Sequence, residues 1–262
     1  MEDWQHSSGH KRESASAVGW IKRVTQVWLY LANTDDLRGP ALTRYYEGLL
    51  SDEERARGQS YLMDRLREQF FLTRALVRRA LSRHSSIPPA VWRFTANPYG
   101  RPMISGPAGA PRLNFNLAHA DGLVACVVST RDEVGVDAEV VDRTTEATLI
   151  AEQNFCPLET ADLKSLSGPL RRDRFFQYWT LKEAYVKARG LGLSMNLNGF
   201  SFELKDGQPI RVRFDPPAEE EASAWHFFQL RPTGRHIVAV ACRASSPPEL
   251  KIERLHKWEP GF

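Results

Sequence analysis

The stretch W-T-L-K-E-A-Y-V-K, from Trp179 to Lys187, carries aromatic, acidic and basic side chains at helical spacing. With about 3.6 residues per turn, Trp179, Glu183 and Lys187 fall on one face of a helix. A carboxylate and an ammonium one turn apart can be an ordinary surface ion pair. The chemical alternative is that Glu183 holds a divalent cation while Lys187 binds a phosphate, which requires a second acidic cluster elsewhere in the chain.

A second acidic cluster lies in V-G-V-D-A-E-V, from Val134 to Val140. The valine-rich pattern predicts a strand, and alternate residues of a strand share a face, so Asp137 and Glu139 project together. Like charges side by side are unfavourable unless water or a cation offsets their repulsion. The pair is therefore either the solvated face of a strand or a metal site. Carboxylate oxygens suit a hard cation such as Mg²⁺, which completes its shell with water and phosphate oxygens, so the pattern implies a phosphate-bearing substrate.

Length and composition allow a sizeable core and give no sign of a membrane protein. The chain has 262 residues, of which 42% are hydrophobic, enough for one large domain or two small ones. It contains no apolar run of about eighteen residues, so we expect no membrane partner. The first residues lack the apolar stretch of a secretory signal, and we predict a disordered extension over 1–19.

The number and spacing of the three cysteines indicate the cellular compartment of the protein. Cys126, Cys156 and Cys242 are far apart, odd in number and set mostly among apolar residues. This pattern is typical of reduced, buried thiols rather than of disulfides or zinc ligands. We therefore predict a cytoplasmic protein.

Charge is nearly balanced over the chain but concentrated in one region. The sequence has 35 Lys and Arg against 32 Asp and Glu, a net charge of +3. A nucleic-acid-binding protein normally carries a denser basic patch, so we expect no nucleic acid partner. Arginines nevertheless crowd part of the first half, at positions 55, 57, 65, 67, 74, 78, 79 and 83. They indicate either a solvated helix with snorkelling side chains or a surface for an anionic ligand or an acidic partner protein.

Hydrophobic periodicity and turn residues predict two successive series of helices and strands. The first series has a strand over 26–32, a helix opened by a capping box at Ser51, a helix over 65–83, and strands near 92–95, 113–117 and 123–129. The second has a strand from Val134, helices near 144–154, 158–166 and 171–188, and strands near 200–205, 210–214, 225–230 and 236–242. The stretches 106–111 and 216–224 are predicted loops.

The two series contain similar short segments. F-N-L at 115–117, before a turn with Gly122, is matched by F-Q-L at 228–230, before a turn with Gly234. Weak internal similarity at this spacing predicts an α+β fold made of two related α+β halves. We place the halves at 20–131 and 132–245, followed by a tail over 246–262.

Taken together, the two acidic blocks resemble the paired signature of the 4′-phosphopantetheinyl transferases of the Sfp type. Three further blocks occur in the family's order: F-F-L-T-R-A-L-V-R-R at 70–79, N-P-Y-G-R-P at 97–102 and N-F-N-L-A-H-A at 114–120. The resemblance extends from about Trp20 to Arg243. It implies a monomer with two halves related by pseudo-twofold symmetry and an active site in the cleft between them.

The resemblance also implies a reaction. Enzymes of this family transfer the 4′-phosphopantetheine arm of coenzyme A to a serine hydroxyl of an acyl or peptidyl carrier protein and release adenosine 3′,5′-bisphosphate. Carriers of fatty-acid, polyketide and nonribosomal-peptide synthesis are the acceptor classes. The reaction depends on Mg²⁺, because transfer at a diphosphate needs positioning and charge neutralisation more than covalent chemistry.

Individual roles follow from the matched positions. Asp137, Glu139 and Glu183 match the family's magnesium ligands, and Lys187 matches the lysine that contacts the diphosphate. Glu183 is also the candidate base for the serine proton. The positions implied in coenzyme A binding, besides Lys187, are Arg57, Gly100, Arg101 and His119. Gly100 and Arg101 stand beside the adenine and its 3′-phosphate, where the family often has lysine.

The sequence leaves the roles of four further residues undecided. Ala118 stands where the family commonly has serine, so a hydroxyl contact to phosphate is expected to be missing. Arg74 and Arg78 either contact the ligand or brace their helix. Lys182 is either part of the site or a surface lysine.

Two other classes of function share these residue types. Asp, Glu and a nearby Lys are also the parts of a metal-dependent nuclease. Against that hypothesis, Glu139 is followed by Val140 and Val141, so no lysine stands two residues after the acid. A non-catalytic coenzyme A-binding protein is the third class, and it predicts a missing metal ligand, whereas all three carboxylates are present.

Overall fold

The predicted strands form two main sheets, each with a long helix on its outer face. The computed structural model describes residues 25–130, 132–142 and 146–255. The first series consists of β1 (Gln26–Asn33), α1 (Pro40–Glu47), α2 (Asp52–Gln59), α3 (Asp64–Ser82), β2 (Arg93–Ala96), β3 (Pro102–Gly106), β4 (Asn114–Ala120) and β5 (Leu123–Ser129). The second consists of β6 (Val134–Val140), α4 (Ala147–Asn154), α5 (Pro157–Ser165), α6 (Gly168–Arg189), β7 (Phe200–Glu203), β8 (Arg211–Phe214), α7 (Glu219–Ser223), β9 (Trp225–Thr233) and β10 (His236–Arg243), before β11 (Glu249–Leu255).

The two series repeat one order of elements. Each begins with a strand, continues with three helices and a two-stranded sheet, and ends with two paired strands. The second series has α7 in addition. The main sheets have the strand orders β11-β1-β5-β4 and β6-β10-β9. The α+β class is confirmed and the repeated order supports two similar halves, while their pseudo-twofold relation and the boundary at 131/132 remain predictions.

The prediction of a tail over 246–262 is wrong where β11 lies. This strand pairs in parallel with β1 at the edge of the first sheet. Leu250 packs against the core between the sheets and Leu255 is buried, so apolar side chains anchor the strand. Charged residues between them break up the apolar alternation in so short a segment. Residues 256–262, like the predicted extension over 1–19, lie outside the described residues.

Three short elements also differ from the predicted pattern. The periodicity predicts neither α1 nor β3, and the predicted loop over 216–224 contains α7. Elements of eight residues or fewer give a weak periodic signal, particularly beside prolines. The capping box of α2 is confirmed, because Glu54 N donates to Ser51 Oγ at 3.3 Å and Ser51 N donates to Glu54 Oε2 at 3.1 Å.

Two chain-wide expectations can be compared with the described residues. Within them, no helix is both long and apolar enough to cross a membrane. Cys126, Cys156 and Cys242 are free and buried, as expected.

An apolar layer between the two sheets joins the halves. It is built from β1, β4 and β5 on one side and from β6 and β10 on the other. The edge strands β4 and β6 lie next to each other, and Asn116 is the polar residue between them. Its Oδ1 accepts a hydrogen bond from Val136 N at 3.0 Å, which satisfies an amide that the sheet edge would otherwise leave buried without a partner.

Helix α6 packs directly on β6 because a glycine leaves room for it. A Cβ atom at Gly135 would lie 2.1 Å from the Ala184 carbonyl oxygen and 2.4 Å from Ala188 N. The side chains of Ala184 and Ala188 are themselves small and fully buried, so the two backbones meet without intervening bulk. This contact sets the depth of α6 over β6, and therefore the position of its charged side chains relative to those of the strand.

Replacing Gly135 with Ala should push α6 away from β6. We expect Gly135→Ala to lower the free energy of unfolding by about 1–3 kcal/mol or more, the cost of an overpacked core, as measured by urea denaturation. Gly234→Ala is the matched control, because a Cβ there would meet no heavy atom within 4 Å. Its effect should stay within about 0.5 kcal/mol. Equal stabilities of the two variants would show that α6 can shift at no cost.

Candidate active site

The side chains of β6 divide between two environments, as the strand pattern predicts. Those facing the apolar layer between the sheets are Val134, Val136, Ala138 and Val140. Asp137 and Glu139 lie on the other face, under α6. Trp179 of that helix donates its indole Nε1–H to Glu139 Oε1 at 3.2 Å, which orients the carboxylate.

A partly buried ion pair joins the acidic strand to the helix. Lys187 Nζ lies 2.6 Å from Asp137 Oδ1, and the side chains are 30% and 8% exposed. Burial opposes the charged form of Lys187, but the negative charges of Asp137, Glu183 and Glu139 outweigh it and raise the pKa of the ammonium. The predicted proximity of Lys187 to the carboxylates is therefore present, with the ammonium neutralising Asp137 directly.

Glu183 lies one turn before Lys187 on α6, and the charges of Asp137 and Lys187 act on it as well. Burial raises the pKa of Glu183, the charge of Asp137 raises it further, and Lys187 partly offsets both effects. The two carboxylates are thus close enough to repel each other. Their proximity follows from the packing of α6 on β6.

The carboxylates do not form a ready-made metal site. Among the residues that the structure describes, no three His, Cys, Asp or Glu side chains lie close enough together to hold a metal ion as they stand. One oxygen nevertheless fits a cation, because Asp137 Oδ2 is buried without a hydrogen-bond partner. Leaving a buried acceptor unpaired costs free energy that a cation would recover. The oxygen-only donor chemistry suits Mg²⁺, which needs one or two carboxylates and takes its other ligands from water and phosphate.

His119, on β4 of the first half of the chain, lies near this site. It lies exposed on β4, and partial desolvation lowers its pKa, helped by the positive charges of Lys187 and Arg74 and opposed by Asp137. These influences place His119 within electrostatic reach of the Lys187–Asp137 pair. The side chain of Ala118, by contrast, lies on the opposite face of the strand, in the apolar layer, and so points away from that of His119.

The arginines of the first half divide into ligand candidates and braces. Arg57 and Arg74 both stack over the Phe70 ring, at 5.9 and 5.3 Å from its centroid, and Arg57 is exposed. Arg78 is buried, and its Nη2 donates to Glu54 Oε2 at 2.6 Å. The bracing role considered for Arg74 and Arg78 therefore fits Arg78. Arg74 lies 3.9 Å from the same carboxylate but also acts electrostatically on His119.

The turn N-P-Y-G-R-P is held by its own asparagine. Asn97 Oδ1 accepts hydrogen bonds from the amides of Tyr99 and Arg101, each at 2.9 Å. Gly100 has a φ of 84°, in the left-handed region that favours glycine. The Arg101 guanidinium donates to the carbonyls of Ala188 and, at 3.2 Å, Val134. Arg101 thus extends toward the end of α6, and its predicted contact to a 3′-phosphate stays a prediction.

Lys182 is not a surface lysine. Its side chain is fully buried, with Nζ 2.9 Å from Glu159 Oε2. It also donates to the carbonyls of Leu197 and Phe200, at 2.8 and 2.6 Å. A helical angle predicts which way a side chain points but not what surrounds it, and α6 is enclosed by apolar residues on this side as well. Lys182 fastens α6 to the segment that follows it and lies away from the carboxylates of β6.

Removing the Lys182 ammonium should destabilise the protein strongly. A single change that leaves Glu159 charged and buried costs about 3–5 kcal/mol, so we expect Lys182→Met to lose that much in urea denaturation. Lys182→Met/Glu159→Gln, which leaves no buried charge, should recover part of the loss.

The exposed pair Lys164–Glu152 is the matched control for this prediction. Its atoms are 2.6 Å apart, but its side chains are 54% and 41% exposed. Lys164→Met should therefore change stability by less than about 1 kcal/mol. A comparable effect of both single changes would contradict the structural role of Lys182.

Comparison with known proteins gives one family. The family model of the 4′-phosphopantetheinyl transferase superfamily matches residues 133–241, the stretch that contains the carboxylates and Lys187. The 4′-phosphopantetheinyl transferase HetI of Nostoc sp. is 30% identical over 192 residues, which cover 73% of this chain and 78% of that protein. A putative 4′-phosphopantetheinyl transferase of Synechocystis sp. is 34% identical over 174 residues, covering 66% and 68%. The 4′-phosphopantetheinyl transferase Sfp of Bacillus subtilis is 31% identical over 178 residues, covering 63% and 76%.

The alignments with the three relatives are longer than either series of elements, so they extend over both series rather than over one motif. The three relatives carry the name of one enzyme class, and none is named a nuclease or a non-catalytic binding protein. The extent of the similarity agrees with the α+β fold and with the acidic strand placed under the W-T-L-K-E-A-Y-V-K helix. This chain belongs to the 4′-phosphopantetheinyl transferase superfamily.

Proposed function

We propose that this enzyme transfers the 4′-phosphopantetheine arm of coenzyme A to a serine of an acyl or peptidyl carrier protein, with Mg²⁺ as cofactor. The serine oxygen attacks the β-phosphorus, the bond to the bridging oxygen breaks, and adenosine 3′,5′-bisphosphate leaves. One observation carries the proposal: Asp137 is buried, pairs with Lys187 through Oδ1 and leaves Oδ2 without a partner. A diphosphate and its cation need a carboxylate oxygen and an ammonium side by side.

The proposed magnesium ligands are Asp137, Glu139 and Glu183. Bound by them, the ion would neutralise charge on the diphosphate and stabilise the charge that develops during transfer. The Asp137 oxygen without a partner supports this assignment, as does the indole of Trp179, which holds Glu139 in one orientation. Hydrogen bonds that orient a metal-binding carboxylate in this way usually tune metal affinity.

Lys187 is the proposed diphosphate ligand. Its ammonium is a point charge on a flexible stem, so rotation about side-chain bonds can move it between Asp137 and a bound phosphate. Partial exposure of the side chain leaves it accessible to substrate. The acidic surroundings keep it protonated, which is the form that binds phosphate.

Basic groups of the first half are the proposed ligands of the remaining phosphates of coenzyme A. His119 lies within electrostatic reach of both Lys187 and Arg74, and Arg57 shares the Phe70 ring with Arg74. The two arginines carry positive charge, while His119, whose pKa is lowered, offers an imidazole N–H as a hydrogen-bond donor to phosphate. Gly100 is the proposed contact of the adenine, because its missing side chain leaves the backbone open, with no heavy atom within 4 Å of a Cβ built there.

We propose Glu183 as the acceptor of the serine proton, directly or through one water. Its place on α6, between Trp179 and Lys187, puts it beside both the proposed metal and the proposed diphosphate position. A base must lie within hydrogen-bond reach of the proton it removes, and the place of Glu183 one turn before Lys187 supports this role for a serine brought to the same phosphorus.

The proposed partner is a carrier protein domain, and we propose that the enzyme acts as a cytoplasmic monomer. Asp137, Glu183 and Lys187 come from one chain, so the proposed chemistry needs no second copy. The free, buried cysteines support a reducing compartment.

The transfer is tested directly by mass spectrometry of purified carrier proteins after incubation with coenzyme A and Mg²⁺. We expect a mass gain equal to the phosphopantetheine arm. Asp137→Asn keeps the side-chain shape but removes the charge, so it should lower the rate more than about 100-fold, beyond the loss typical of changing a residue that only contacts a metal ligand. Asp142→Asn is the control, because Asp142 is exposed and pairs with Arg235 at 3.3 Å. A near-normal rate in Asp137→Asn would exclude the proposed site.

Carrier recognition should depend on salt. Carrier proteins are typically acidic, and electrostatic steering weakens as the screening length falls below its value of about 8 Å at physiological ionic strength. The apparent KM for a carrier protein should therefore rise with added salt more steeply than that for a short serine-containing peptide. Equal salt responses would indicate that apolar contacts dominate recognition.

A further inference from the structure

The C-terminal end of α6 is held by a turn from the other half of the chain. The last four carbonyls of any helix lack partners within the helix and need them elsewhere. In α6 the Gly190 amide bonds the carbonyls of Val186 and Lys187, and the turn between β2 and β3 provides further partners at this end. Asn97 Nδ2 donates to the Gly190 carbonyl at 2.8 Å, and Arg101 Nη1 donates to the Ala188 carbonyl.

Arg101 joins three elements at once. While Nη1 bonds α6, Nη2 donates to the Val134 carbonyl of β6 at 3.2 Å, and the backbone amide bonds Asn97 within the turn. Arg101 is partly buried, and its positive charge lies at the negative end of the helix dipole. A planar fork can bridge two carbonyls in this way, whereas an ammonium on a single stem is a point contact.

The packing at this junction leaves little room for a side chain. Gly190 ends α6 with a φ of 67°. A Cβ there would lie 3.0 Å from Arg101 Cδ and 3.4 Å from Asn97 Nδ2. The turn therefore contacts the end of α6 closely, as a cap supplied by the other half of the chain.

The position of this cap matters because Lys187 is in the last turn of α6. Helix ends fray when their carbonyls lose partners. Fraying beyond Val186 would carry the Lys187 ammonium away from Asp137, although both residues would still be present. A displacement of about 1 Å at a catalytic group can lower a rate about 100-fold.

We propose that Arg101 is a positioning residue, which caps α6 across the two halves and thereby holds Lys187 at the diphosphate. This assignment rests on the proposed transferase function. It differs from the expected role of Arg101 as a ligand of the 3′-phosphate. A guanidinium has five N–H donors, and the two carbonyl bonds leave others free, so kinetics must separate the two roles.

Kinetics with coenzyme A and with dephospho-coenzyme A distinguish the two roles of Arg101, because only coenzyme A carries the 3′-phosphate. We expect Arg101→Met to lower kcat by about tenfold or more with both substrates, equally within about twofold, and to change the KM for coenzyme A little. Arg101→Lys retains a charge that can bind a phosphate but cannot bridge the two carbonyls. It should lose most of the same activity, again equally with both substrates.

Arg93→Met is the matched control. Arg93 Nη1 also donates to backbone carbonyls, those of Ala90, Val91 and Trp92, but all of them lie within the first half and none belongs to α6. Its kinetic constants should therefore remain near those of the unmodified enzyme. Thermal unfolding of each variant distinguishes loss of the fold from loss of positioning, and Arg101→Lys keeps the proposal testable where Arg101→Met is unstable.

The outcomes are distinct. A loss in Arg101→Met that is about tenfold larger with coenzyme A than with dephospho-coenzyme A, with activity restored in Arg101→Lys, would overturn the positioning role and restore the phosphate contact. Equal losses confined to kcat would support it. Failure of the unmodified enzyme to load any carrier would instead reject the proposed function, independently of Arg101.

Discussion

The close contact between α6 and β6 is the constraint on which the candidate site depends. It exists because Gly135 has no side chain, and because Ala184 and Ala188 present little bulk opposite it. A strand that carries two carboxylates is thereby placed under a helix that carries a third carboxylate and an ammonium. The apolar layer between the sheets holds the strand from its other face, so neither element can move independently of the core.

The two lysines of the W-T-L-K-E-A-Y-V-K block illustrate how burial separates structure from chemistry. Lys182 has a buried carboxylate partner and two carbonyl partners, so its ammonium cannot be exchanged without leaving charges unpaired. Lys187 is partly exposed and pairs with Asp137, whose second oxygen has no partner. Its contact can therefore be exchanged for a phosphate. A single helix thus carries one lysine that fastens it to the protein and another that is partly exposed and is the proposed ligand of the substrate.

The sequence predicts the features that follow from periodicity within one element. Alternation along β6 correctly separates Asp137 and Glu139 from their apolar neighbours, and helical spacing correctly aligns Glu183 with Lys187. It does not predict features that depend on contacts between distant segments. The burial of Lys182, the carbonyl partners of Arg101 and the pairing of β11 with β1 all involve residues that lie far apart in the chain. A helical angle or a motif match contains no information on such neighbours.

The central claim is that Asp137, Glu139 and Glu183 share a cation above which Lys187 binds the diphosphate. The most direct measurement is a crystal structure of the enzyme with coenzyme A and Mn²⁺, in which anomalous scattering locates the metal. The account predicts a single peak at about 2.0–2.2 Å from an oxygen of Asp137 and from its partner carboxylates, close to the distances typical of Mg²⁺. It also predicts that Lys187 Nζ moves from Asp137 Oδ1 to a diphosphate oxygen. A metal peak away from Asp137, or an unchanged Lys187–Asp137 pair beside bound coenzyme A, would contradict it.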